Sequence, residues 1–144
     1  MRVDKGKLID MLILHEGLEL KPYQCTADKT TIGVGRNLSD VGITEEESKY
    51  LLLNDLLRIQ KEIEHWTFMK SLSEPRQAVL LDMVFNMGIS RFNPKTWIKT
   101  FTAIQDKDFE KAANEMLESK WSKQVGQRAI RLSQMMRKGV WYVD

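Results

Sequence analysis

Apolar residues recur at helical spacing along most of the chain. Leu8, Ile9, Leu12 and Ile13 share one side of a helical net, which predicts a short amphipathic helix over about Lys5 to Glu16. Gly17 follows as a fitting stop. The pattern then changes. Residues 22–25 and 30–34 are candidate strands, joined by the turn residues Thr26-Ala27-Asp28-Lys29. Alternation puts Thr31, Gly33 and Gly35 on one face of the second strand and Ile32 and Val34 on the other. Arg36-Asn37-Leu38 and the loop 39–42 close this small lobe.

Helical periodicity returns at Thr44, where Thr44 and Glu47 have the spacing of a capping box. Leu52, Leu56, Ile59 and Ile63, with Leu53, mark one stripe of a long helix reaching about His65. Ser73-Glu74-Pro75 is another helix start. The segment AVLLDMVFNM, 78–87, is apolar on nearly every side, so a helix there is expected to be surrounded by protein. Asp82 and Asn86 are its only polar interior residues. Gly88 stops it, Asn93-Pro94 is read as the cap of a helix reaching about Ile104, and Asp106 or Asp108 opens another through about Glu118. Phe109, Ala112, Ala113 and Met116 are expected to face inward there. The last segment, 119–139, carries six basic residues and no acidic one, with Ala129, Ile130 and Leu132 as its apolar side. Trp141 and Tyr142 are read as an anchor packing back. The fold class is therefore mainly α with a small β-hairpin lobe (α+β). The expected layout is a single domain over 1–144: a small lobe at 18–45, a connecting helix at 44–65, and a helical lobe at 66–144 joined by the N-terminal helix.

Composition narrows the partners. A chain of 144 residues with 42% hydrophobic content supports one core and one domain. A net charge of +2 is mildly basic, which suits an anionic polymer without calling for nucleic acid. The basic segment would need stacking or base-reading side chains to read nucleic acid, and its apolar residues look like packing instead. One cysteine excludes an internal disulfide framework and a cysteine-based zinc cluster, and His15 with His65 does not make a metal site. No apolar run is long enough for a signal-peptide core or a membrane span, so no membrane insertion is expected.

The candidate chemistry lies between Glu16 and Gly35. Glu16 sits at i+3 from Ile13 and i+4 from Leu12, at the end of the apolar stripe. Desolvation there raises a carboxyl pKa, as a general acid at neutral pH requires. On the helix alone, a structural glutamate paired with Arg or Lys is the commoner arrangement. Cys25 alone reads as a small hydrophobe, and His15 as a surface histidine.

Eight residues separate Glu16 from Cys25 and five separate Cys25 from Thr31, followed by Ile-Gly-x-Gly. This constellation resembles the phage-type lysozymes, the muramidase endolysins. EGLELKPY and TTIGVGRNL match their active-site lobe, DMVFNMG their central helix, and SKW, GQRAIRL and GVW their C-terminal helices, in order along nearly the whole chain. The resemblance implies a lysozyme-like two-lobed fold with a cleft between the lobes. It implies hydrolysis of the β-1,4 bond between N-acetylmuramic acid and N-acetylglucosamine in bacterial peptidoglycan. Glu16 would be the general acid, and Thr31 would help position the attacking water. Arg128 matches the family's arginine that pairs with the catalytic glutamate, which would lower that pKa against desolvation. Asn37, Phe85 and Asn86, with Arg128, would bind the glycan, and Asp82 would line the same cleft. No cofactor or metal is implied. The resemblance also implies a monomer held in the host cytoplasm until a separate pore-forming protein, a holin, releases it to the cell wall.

The departure is Cys25, at a position where the family most often has Asp and in one branch Cys. As a thiolate it would stabilise positive charge at the anomeric carbon, orient water with Thr31, or attack directly. Lys29 and Arg36 are close enough in sequence to lower its pKa. Asp28, the nearest acid, is expected to face solvent. Two other outcomes stay open: a non-catalytic peptidoglycan-binding relative, and a lytic transglycosylase.

Overall fold

A computed structural model describes residues 1–143. The chain is mainly α-helical, with seven helices and one three-stranded antiparallel sheet among the described residues. It divides into two compact units, Met1–Leu51 and Leu52–Asp144.

The first unit opens with α1 (Lys5–Glu16), the span its apolar spacing predicts. Asp4 caps it by accepting from the Lys7 amide at 3.0 Å, and the Gly17 amide closes it on the Ile13 carbonyl at 2.8 Å. The sheet has the order β1 (Glu19–Gln24), β2 (Thr30–Gly33), β3 (Arg36–Asn37). The first strand starts earlier than its alternation suggests, and the two-residue β3 is too short to leave a periodic signal. Gly33 and Gly35 have φ of 71° and 69°, so they serve the β2–β3 turn and do not extend a strand face. The predicted alternation through Val34 therefore ends at Gly33.

The predicted capping box opens α2 (Glu45–Ile63), which runs from the first unit into the second. The Glu47 amide donates to Thr44 Oγ1 at 3.0 Å and the Thr44 amide to Glu47 Oε1 at 2.9 Å. Arg36 grips the same carboxylate with two hydrogen bonds, at 2.9 and 2.8 Å, and donates to the Gly42 carbonyl at 3.0 Å. This ties β3 and the following loop to the helix start. Of the predicted α2 stripe only Ile59 and Ile63 are buried.

The second unit holds the hydrophobic core. Its helices are α3 (Glu74–Met87), α4 (Ile98–Gln105), α5 (Phe109–Glu118), α6 (Lys120–Val125) and α7 (Gln127–Lys138). Ser73 caps α3 and Asp108 caps α5. Val79, Leu80, Met83 and Val84 of α3 are buried with Phe92, Phe101, Met116 and Met136. Arg76 closes the far end of α7 by donating to the Met136 and Arg137 carbonyls at 2.7 and 2.9 Å, with its guanidinium over the Phe109 ring.

Four local expectations change. α3 is not wrapped on all sides: Phe85 and Asn86 are exposed and Asp82 is half-buried. Asn93 does not begin a helix; its Oδ1 accepts from the Lys95 and Thr96 amides, closing a tight turn, and α4 starts only after Trp97. The basic C-terminal segment is two helices, broken at Gly126, whose φ of 57° with ψ of −117° no helix accommodates. Tyr142 packs back beneath Arg131, whereas Trp141 is exposed.

Candidate active site

Glu16 is the last residue of α1, and its side chain is exposed. The amphipathic spacing had placed it at the edge of a buried stripe, but α1 buries none of its residues. A unit of this size has too little interior to cover a helix face. The carboxylate lies beside the β2–β3 turn: a Cβ added at Gly35 would stand 3.6 Å from Glu16 Oε2.

Cys25 follows β1 and begins the hairpin turn. Its amide donates to the Lys29 carbonyl at 3.0 Å, and its carbonyl accepts from the Asp28 amide at 2.9 Å. Asp28, exposed, turns the chain with φ of 60°. The amides of Lys29 and then Ala27 hold the Cys25 thiol below its ordinary pKa, against slight desolvation, with a smaller contribution from the Thr31 hydroxyl. Backbone N–H groups thus do what Lys29 and Arg36 were expected to do. Those two cations are engaged elsewhere, Lys29 with Asp40 at 3.2 Å and Arg36 with Glu47.

Thr31 is 4% exposed, on the central strand. It faces Tyr23 across β1 and Asn37 across β3. Its hydroxyl donates to the Lys29 carbonyl at 3.0 Å. One hydroxyl proton cannot serve that carbonyl and the sulfur at once. Its lone pairs stay free to accept. Asn37 is turned into its own loop: its Nδ2 donates to Asp40 Oδ2 at 2.9 Å and its Oδ1 accepts from the Asp40 amide at 3.0 Å.

The phage lysozyme family profile matches residues 14–138, a span that holds every candidate residue named so far. The chain belongs to the phage lysozyme family. Among its relatives is a probable T4-type lysozyme of Dictyostelium discoideum, 28% identical over 90% of this chain and 93% of that protein. An endolysin of Acyrthosiphon pisum secondary endosymbiont phage 1 is 32% identical over 76% of this chain and 73% of its own length. The pre-baseplate central spike protein Gp5 of Enterobacteria phage T4 is 27% identical over 92% of this chain but only 28% of that protein.

The remaining candidates of this family member lie in the helical unit. Phe85 is 45% exposed on α3. Asn86, one position on, accepts at Oδ1 from Trp121 Nε1 at 2.8 Å. The indole N–H can only donate, which fixes the amide's orientation and leaves Nδ2 as its free donor. Arg128, at the start of α7, is joined to Asp82: its Nε donates to Asp82 Oδ1 at 2.8 Å, and its Nη2 is also 2.8 Å from that oxygen. The sequence singled out Asp82 and Asn86 by their four-residue spacing. It could not supply their partners, which come from helices 35 and 46 positions later.

Proposed function

We propose that this chain, a lysozyme-type glycoside hydrolase by family, cleaves the β-1,4 bond between N-acetylmuramic acid and N-acetylglucosamine in peptidoglycan, with Glu16 as general acid. Glu16 gives its proton to the leaving glycosidic oxygen as the bond to the anomeric carbon breaks. Water then adds at that carbon and releases a proton, so the product is a reducing sugar. The observation that supports the reading best is local to the first unit. A carboxylate at a helix end stands beside a glycine turn, and the adjoining hairpin carries a thiol of lowered pKa and a buried hydroxyl with free lone pairs.

Cys25 takes the place of a second carboxylate. Its thiolate balances the positive charge that develops on the sugar ring, and with Thr31 it orients the incoming water. Direct attack by the sulfur is the other route, and the product separates the two. An inverted anomer marks direct attack by water, and a retained anomer marks a covalent intermediate on Cys25. An anhydro product, lighter by one water, would instead mark a lytic transglycosylase.

Turbidity loss of purified cell walls tests the assignment. The wild type is expected to clear the suspension and Glu16→Gln to lose roughly 100-fold or more in rate, the usual contribution of a positioned proton donor. Equal clearing by both proteins would remove Glu16 from the mechanism. No clearing by either would favour a non-catalytic wall-binding protein.

A further inference from the structure

α2 carries apolar residues on two opposite sides. On the inner side Ile59 and Ile63 are buried and Leu56 is half-buried. The outer side holds Tyr50, Leu53 and Leu57, exposed at 66%, 51% and 48%. One exposed leucine is ordinary on a protein surface, but three large apolar side chains in a line mark a surface that meets a partner. Their spacing, three residues and then four, is that of the seam along which two helices pack. The stripe belongs to one uninterrupted helix, so helix geometry alone fixes its line.

Charged residues extend the same line at both ends. Glu46 lies four positions before Tyr50 and Lys61 four positions after Leu57, and both are exposed. Neither has an ion-pair partner among the described residues. The flanking cations do: Lys49 pairs with Glu45 at 3.2 Å and Arg58 with Asp55 at 2.8 Å, on the same helix. The outer face therefore runs from an acid, through an apolar stripe, to a base, and its centre falls between Leu53 and Asn54. Such a face is complementary to itself turned end for end. About a two-fold axis at that centre, Glu46 of one copy meets Lys61 of the other, Tyr50 meets Leu57, and Leu53 meets Asn54, each contact occurring twice. A parallel pairing would instead set Glu46 against Glu46 and Lys61 against Lys61.

We propose that two copies of this chain associate through the outer face of α2, with the two helices antiparallel. The resemblance to phage-type lysozymes implies a monomer, and this stripe is where the present chain departs from it. The proposal does not draw on the peptidoglycan reading, and Glu16, Cys25 and Thr31 lie outside the face. A face carried by one helix is smaller than the roughly 1,200–2,000 Å² of a standard interface, so the association is reversible, with an expected dissociation constant of about 10–100 μM.

Sedimentation velocity of the full chain over about 2–500 μM brackets that range. The weight-average mass is expected to rise from the monomer's 16.8 kDa towards twice that value. Leu53→Ser combined with Leu57→Ser should weaken association at least about tenfold. The thermal midpoint of that variant at low concentration should hardly move, because both side chains are exposed in the monomer. Glu46→Lys and Lys61→Glu each oppose like charges across the axis, and each should weaken association roughly fivefold, since the pair occurs twice. Mixed in equal amounts, these two variants should form a heterodimer of near wild-type strength. A chain carrying both substitutions should pair with itself again. A monomer throughout the concentration range would overturn the proposal and leave the stripe to some other occupant. So would a dimer that neither the leucine nor the charge variants weaken, or one that the charge exchange fails to restore, because its contact would then lie elsewhere on the surface.

Discussion

The two units of this protein are held in shape by different means. In Met1–Leu51 the only described residue that is fully buried is a polar one, Thr31. Its turns are fixed by hydrogen bonds: the Asp4 cap, the Cys25–Lys29 turn, the Asn37–Asp40 pair, and Arg36 on the Glu47 capping box. In the helical unit the side chains interlock, and Phe92, Leu80, Met83, Ile104, Met116 and Met136 are sealed from water. The three residues expected to do chemistry, Glu16, Cys25 and Thr31, are all in the hydrogen-bonded unit. A reactive carboxylate and thiol need contact with substrate and water, so the unit that carries them cannot close over them. Its geometry is set instead by directional bonds, which locate a group without burying it.

The contrast can be broken most forcefully in the core. Phe92→Ala is expected to destabilise the protein by about 3–5 kcal/mol, measured by urea unfolding, because it empties a fully buried site. Leu20→Ala on the sheet, where the side chain is 78% exposed, should change stability by no more than about 0.5 kcal/mol. Comparable losses at both sites would mean that the small unit has a core after all.

Activity should divide the other way. Cys25→Ala is expected to slow cell-wall clearing roughly 100-fold while leaving the melting temperature nearly unchanged. Cys25→Asp should keep much of the wild-type rate, since it restores a negative group in the same turn. A fully active Cys25→Ala would reduce the thiol to packing.

The capping network gives a smaller, pH-dependent effect. Glu47 has its pKa lowered to about 2, first by the hydrogen bond from Arg36 and then by the Thr44 amide. A carboxylate whose folded pKa is depressed contributes stability that is whole above its unfolded pKa of about 4.3 and is lost as pH falls toward the folded value. Acid titration of the wild type between about pH 4.5 and 2 should therefore show a loss that Glu47→Gln lacks. Parallel acid curves for the two proteins would show that the pair contributes nothing.

The smallest expected effect is on the thiol itself. Alkylation of Cys25 by iodoacetamide should reach half its maximal rate at a lower pH than an unperturbed cysteine, because backbone amides favour the thiolate. Thr31→Val should move that midpoint only slightly upward, as the hydroxyl is a lesser contributor than the two amides. A large shift would mean that the hydroxyl proton belongs to the sulfur rather than to the Lys29 carbonyl.

Local signals in the sequence were enough for the elements that close on themselves. The span of α1, the Thr44–Glu47 box, the Ser73 cap and the inward face of α5 each depend on residues within a few positions of one another, while the structure chose Asp108 over Asp106 as the α5 cap. The spacing of Glu16, Cys25 and Thr31, followed by Ile-Gly-x-Gly, was likewise readable, and with it the family. What the tertiary structure decided was every matter of partnership and cover. Periodicity says that a helix has an apolar face but not whether anything lies against it, so it predicted burial for Glu16 and full enclosure for α3, and neither occurs. Charge in the sequence says that a cation is available but not whom it meets. Arg36 and Lys29 turned to Glu47 and Asp40, and Arg128 to Asp82, because short-range pairing is fixed only once the chain has brought distant positions together.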